Sequence, residues 1–310
     1  MKKIICVFLI SLFLLSLVSC SGGAISRIEF SGTTATEHQR KIKYDFSELS
    51  SKAEELDASF GTPPMLNNVN KKYDKKTLLS AFNMSDVKAE RMKNTAVKAY
   101  RYVDGDKRLI THDDGFIAYY NTALYEKAPT LSDSEYKALA DDVINKLGLD
   151  LTELTPQEMT DAEGRKLLYY SRKINGITVV GNTGLYFYFE GDGISIFKQQ
   201  CSAYSGETHF EPIGVKAALD ALLTEKSAQS FGREEAASRV ETVKVTSVQL
   251  VYWDSFKSQV SQTHIQPVYL FHGTATDSNS VETEFTGYVR AVSDDLTASF
   301  GISLSKDEYF

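Results

Sequence analysis

The sequence predicts an α+β protein made of tandem units, each an antiparallel β-sheet packed on a helix. Two segments carry that prediction: KRLITHDDGFIAYY, Lys107 to Tyr120, and GLYFYFEGDGISIF, Gly184 to Phe197. Each sets β-branched and aromatic residues on both sides of an Asp-Gly pair, the hairpin signal that glycine makes possible by tolerating positive φ. A helical pattern follows each hairpin at the same distance. Gly115 and Gly193 lie 78 residues apart, as do Asp142 and Asp220 in the two helices. Two copies at such a period fit tandem domains better than a solenoid or propeller.

Taken in order, the chain opens with MKKIICVFLISLFLLSLVSC, two lysines and then an apolar run from Ile4. This is the form of a cleaved secretory signal, too short for a comfortable membrane span of ~20 apolar residues. The Leu17-Val18-Ser19-Cys20 ending resembles a bacterial lipobox, which implies a signal over 1–19 and a lipid on Cys20. Residues 20–36, rich in Ser, Gly and Thr, suit a flexible tether. Helices are expected around Phe46–Leu56, Lys75–Phe82 and Ser85–Lys93, with Pro63-Pro64 breaking the first from the second. They form an N-terminal helical segment over 37–95.

The first α+β unit is assigned to 96–160. Its hairpin leads into SDSEYKALADDVINKLG, where Ser132 and Glu135 form a capping box. Tyr136, Leu139, Ala140, Val143 and Leu147 share one face, and Gly148 caps the end. The second unit is assigned to 161–310. It begins with strands Leu167–Ile174 and Ile177–Val180 around an Asn175-Gly176 turn, then the second hairpin. PIGVKAALDALL follows, with Pro212 in its first turn and Val215, Ala218, Leu219 and Leu222 on one face. Strands at Val245–Trp253, Gln266–Gly273 and Glu282–Val292 close the unit. Alternation in these runs implies one face packed on helix and one face wet or used for binding.

Composition narrows the function. The chain carries 34 basic and 41 acidic residues, a formal charge of −7, and loss of Lys2 and Lys3 with the signal takes it to −9. No basic stripe suggests nucleic acid or anionic lipid as a partner. Cys6 leaves with the signal and Cys20 takes the lipid, so Cys201 is the only thiol left and no internal disulfide is expected; a small apolar filler is its expected role. Motifs for serine hydrolysis, zinc peptidases and phosphate loops are absent, which points to a non-catalytic protein without cofactor or metal. His112, Asp113 and Asp114 with Asp104 and Asp106 are read as solvated turn chemistry rather than a cation site. His264 and His272, eight residues apart in one strand, stand ~26 Å from each other and cannot share a metal.

The succession YYSRKINGITVVGNTGLYFYFEGDGISIF, PIGVKAALDALL, VTSVQLVYWDSF and QPVYLFHG resembles the YycH/YycI group of extracytoplasmic regulators and, more loosely, PepSY and FTP-type propeptide domains. The likeness runs from Tyr100 to Val292. It implies non-enzymatic α+β domains outside the membrane that bind and restrain another protein, a sensor kinase or a peptidase. One departure is the anchor: that group is held by an uncleaved membrane helix, whereas a lipid at Cys20 is expected here.

Seventeen tyrosines against one tryptophan suggest where a partner docks. In LYFYF, Leu185, Phe187 and Phe189 turn inward and Tyr186 and Tyr188 outward, while Tyr169 and Tyr170 divide between the faces. Tyrosine offers apolar area and a hydroxyl at little entropic cost. Tyr170, Tyr186, Tyr188 and Trp253 are the expected partner contacts. The expectation is a surface lipoprotein on the outer face of the cell membrane that binds an envelope protein; the alternative is a lipoprotein that binds a small ligand.

Overall fold

A computed structural model describes residues 42–69, 72–93, 95, 97–161, 164–181, 183–224, 227–232, 239–254 and 264–293. The expected signal, tether and Cys20 lie outside these. The class is mixed α+β, dominated by one large sheet with few helices.

One half of that sheet is built around the two hairpins. β3 (Glu90–Arg91), β4 (Ala99–Asp104), β5 (Lys107–His112) and β6 (Ile117–Asn121) run in order. The order continues with β11 (Gly193–Gln200), β10 (Gly184–Glu190) and β8 (Lys166–Ile174), and β7 (Leu154–Thr160) adds to the edge of β8. Hairpin β10–β11 therefore lies antiparallel beside hairpin β5–β6, with Ile196 opposite Tyr120 and Lys198 opposite Ala118. Pairing also crosses the boundary drawn at 160/161, since Thr160 of β7 pairs Lys166 of β8. Two helices, α3 (Lys75–Ala81) and α4 (Asp133–Lys146), lie against one face. The capping box at the start of α4 is present in both directions, Ser132 with Glu135. Leu168, Tyr170, Leu185, Phe187, Phe189 and Phe197 meet these helices in the first core.

The second half follows from β9 (Ile177–Val180), which leaves β8 through the Asn175-Gly176 turn, both residues at positive φ as a type I′ turn requires. β9 runs parallel to the end of β14 (Val240–Trp253), so the sheet passes on through β15 (His264–Asp277) and β16 (Glu282–Arg290) to β13 (Ser227–Ser230). α5 (Val215–Leu222) buries the four predicted residues against this half. β2 (Met65–Val69) bridges β15 and β12 (Ala203–Thr208) at the junction.

Several local expectations change. Residues 37–95 do not pack as one segment: β1 (Lys43–Asp45), α1 (Ser47–Ser50) and α2 (Ala53–Phe60) join the second core, whereas α3 joins the first. The helix expected at Ser85–Lys93 is replaced by β3. Asp104 accepts the Ser85 N–H at 2.7 Å and Arg101 pairs with Glu90 at 2.6 Å, and both contacts hold the segment extended along β4. The β10–β11 turn is Gly191-Asp192, one residue before the predicted pair. Only Gly191 has positive φ, the pattern of a II′ turn.

Candidate functional site

Strand parity decides which tyrosines reach the surface. In β10, Leu185, Phe187 and Phe189 enter the first core, so Tyr186 and Tyr188 turn to the other side of the sheet. Register then fixes their neighbours. One row across the strands reads Arg108, Tyr120, Ile196, Tyr188; the next reads Ile110, Ala118, Lys198, Tyr186, Tyr169. Among the described residues no α-helix packs on this side: α3 and α4 serve the first core, and α1, α2 and α5 the second; the 3-10 turn Thr122–Leu124 lies against β11 at the hairpin end.

The face mixes aromatic rings with cations. Tyr169 and Tyr186 stand 5.0 Å apart, and the Arg165 guanidinium lies 5.2 Å from the centre of the Tyr188 ring. Arg165 is bound to Asp161 at 2.7 Å. Burial, together with nearby Arg165, pulls the Lys198 ammonium below its ordinary pKa. Burial also pushes the Tyr120 hydroxyl up to about 12, and that of Tyr186 higher still, so both stay protonated donors.

Two predicted contacts are elsewhere. Tyr170 is 1 % exposed, on the helix side of β8, and its hydroxyl donates to Asp141 Oδ1 of α4 at 2.6 Å. Its neighbour Tyr169 has the outward parity, opposite Tyr186. Trp253 is 3 % exposed and packs edge-on against Tyr288 at 5.4 Å in a separate apolar cluster of the second half. Both are corrections: an adjacent pair cannot share a face, and although the parity of β8 puts Tyr169 on the side of Tyr186, it too is buried, its hydroxyl donating to the Thr183 carbonyl at 3.0 Å.

A second feature sits at the junction. Arg172 donates from Nε (3.1 Å) and Nη2 (3.0 Å) to Glu153 Oε2 and from Nη1 to the Ser202 carbonyl. The Tyr204 hydroxyl donates to Glu153 Oε1 at 2.8 Å. These groups, with Cys201, Gln199 and Leu185, line a cavity of about 260 Å³. Nearby, Asp254 is fully buried and accepts from Ser202 N (2.9 Å), Ser202 Oγ (2.7 Å) and Thr183 Oγ1 (3.1 Å). Burial outweighs those bonds and raises its pKa. Sequence reasoning passed over both, although each had a signal: a charge within the apolar strand LLYYSRK, and an acid directly after the buried run VYW.

The acids near His112 do not converge. Asp104 and Asp106 flank one end of β5, and Asp113 and Asp114 the other, ~17 Å away. Among the described residues no group of three metal-ligating side chains forms, and no helix is long and apolar enough to cross a membrane. No protein-family model matches the chain, and no curated protein or solved structure is significantly similar to it.

Proposed function

We propose that this protein is a lipid-anchored surface protein that binds and restrains another protein of the cell envelope, a sensor kinase or peptidase, without catalysing a reaction. Cys20 carries the lipid. The tandem YycI/PepSY-like units are 96–160 and 161–310, sharing this one sheet, and the docking surface is the side without an α-helix, bearing Tyr186 and Tyr188. The observation that carries this reading is that open side itself, where tyrosines and cations sit over an apolar floor of Ile110, Ala118 and Ile196. Aromatic residues and arginine are enriched in the centres of protein interfaces, which makes such a face suited to a polypeptide.

The test is cross-linking in cells followed by affinity capture of the lipidated protein. Alanine at both Tyr186 and Tyr188 is expected to abolish recovery of the partner while leaving the protein in the membrane fraction, and Cys20→Ala to release it from that fraction. Unchanged recovery from the double alanine variant would remove this face as the docking surface.

A second reading, a small-ligand carrier, is favoured by the Arg172–Glu153 cavity alone. At about 260 Å³ it falls just under the ~300–1,000 Å³ usual for ligand sites. Strong thermal stabilisation by an envelope metabolite, lost in Arg172→Met, would support it.

A further inference from the structure

Three arginines of this half of the sheet are neutralised by acids. Arg101 pairs with Glu90, Arg165 with Asp161 and Arg172 with Glu153. Arg108 and Lys198 have no acid within ion-pair distance among the described residues. Lys198 is partly buried between Ala118 and Tyr186 on neighbouring strands. A cation withdrawn from water without an anion is unfavourable, so an arriving carboxylate gains more there than at an exposed lysine. In a chain of net charge −7, this local positive pair is not a consequence of overall composition.

Geometry sets the spacing of what would bind. Arg108 on β5 and Lys198 on β11 are two strands apart and one row offset, which separates their Cα atoms by ~12 Å. Acids four residues apart in an extended chain are ~13 Å from each other. Between the two cations lies the half-buried ring of Tyr120, and that of Tyr186 lies beyond Lys198, which gives the side chains between the acids an aromatic surface to pack on.

We propose that the occupant of this face is an extended acidic polypeptide segment of the partner, its carboxylates meeting Arg108 and Lys198 and its intervening side chains packing on Tyr120 and Tyr186. This rests on the reading of the face as a docking surface and adds the chemistry of what docks.

Fluorescence anisotropy on the full mature chain in detergent provides the test, with labelled poly-L-glutamate as the acidic polypeptide and labelled hyaluronan as the anionic glycan. Poly-L-glutamate is expected to bind more tightly than hyaluronan. The Arg108→Gln, Lys198→Met double variant, which keeps the apolar stems, is expected to weaken that binding about tenfold or more at low salt. Its melting temperature is expected to stay at or above that of wild type, since Arg108 is exposed and methionine at 198 removes an unpaired, partly desolvated charge. Equal or tighter binding of hyaluronan would overturn the proposal in favour of a glycan, and a variant that binds poly-L-glutamate like wild type would overturn it outright. Partner capture separates the two levels. Loss of the partner in the Tyr186, Tyr188 double alanine variant but not in the charge variant would leave the docking face standing and refute its acidic occupant. Retention in both would refute the face as well.

Discussion

Removing the Asp254 carboxylate would strand three donors, from Ser202 and Thr183, in a buried site. Asp254→Ala is therefore expected to destabilise the fold by roughly 2–5 kcal/mol, measured by urea unfolding. Tyr170→Phe loses one hydrogen bond to Asp141 while keeping the ring in the core, and about 1 kcal/mol of stability is expected to go with it, with partner capture unchanged. His112 supplies a pH signature. Burial lowers its folded pKa, although Asp114 nearby opposes this, so below about 6.5 the unfolded chain takes up a proton that the folded chain resists. Stability attributable to His112 is full above that pH and falls as pH drops towards the folded value. The raised pKa of Asp114 acts in the opposite sense, in a window that opens upward from the ordinary carboxylate value. Between about pH 7.5 and 6, His112→Gln is expected to gain melting temperature relative to wild type, and a constant difference across that range would refute the assignment. At this scale the sequence was only partly legible. LYFYF shows its own inward and outward sets, but Tyr169-Tyr170 shows only that one of the two faces out; which one depends on β10, a strand fourteen or more residues away in sequence.

Elements with strong local chemistry matched the sequence most closely. The α4 capping box, the Asn175-Gly176 turn and the apolar face of α5 are all dictated by neighbours within a few residues. Ser85–Lys93 was misread because its fate depends on Asp104 and Arg101, across the strand from it. The short strands β2, β12 and β13 escaped for the same reason: their residues are ordinary and their partners distant in sequence. Two element-scale changes probe this. Phe187 is fully buried against Phe197, Phe189 and Tyr170, so Phe187→Ala is expected to cost about 3–5 kcal/mol in urea unfolding. Gly181 has φ +111, and a Cβ there would stand 2.5 Å from the Asp254 carbonyl oxygen. Gly181→Ala therefore requires β9 or the end of β14 to shift, and a lower melting temperature is expected, whereas an unchanged one would mean that the parallel pairing is not tight.

At the scale of the whole molecule, the repeat seen in the sequence became adjacency rather than separation. The two hairpins pair through β6 and β11, and their union creates a face wider than either could offer alone. The helices after them go to different cores, so one helix pair covers one side of the first half and no α-helix among the described residues covers the other. That outcome was not readable from the period, which gives equal spacing but says nothing about which copies hydrogen-bond. The measurement that bears most directly on the proposed role is site-specific photo-cross-linking in cells. A photoreactive side chain replaces Tyr188 in one strain and Lys244, an exposed residue on β14 of the second half, in another. The account predicts that the probe at position 188 cross-links one envelope polypeptide and that the probe at 244 does not. Cross-linking from 244 alone, or from neither position, would contradict it.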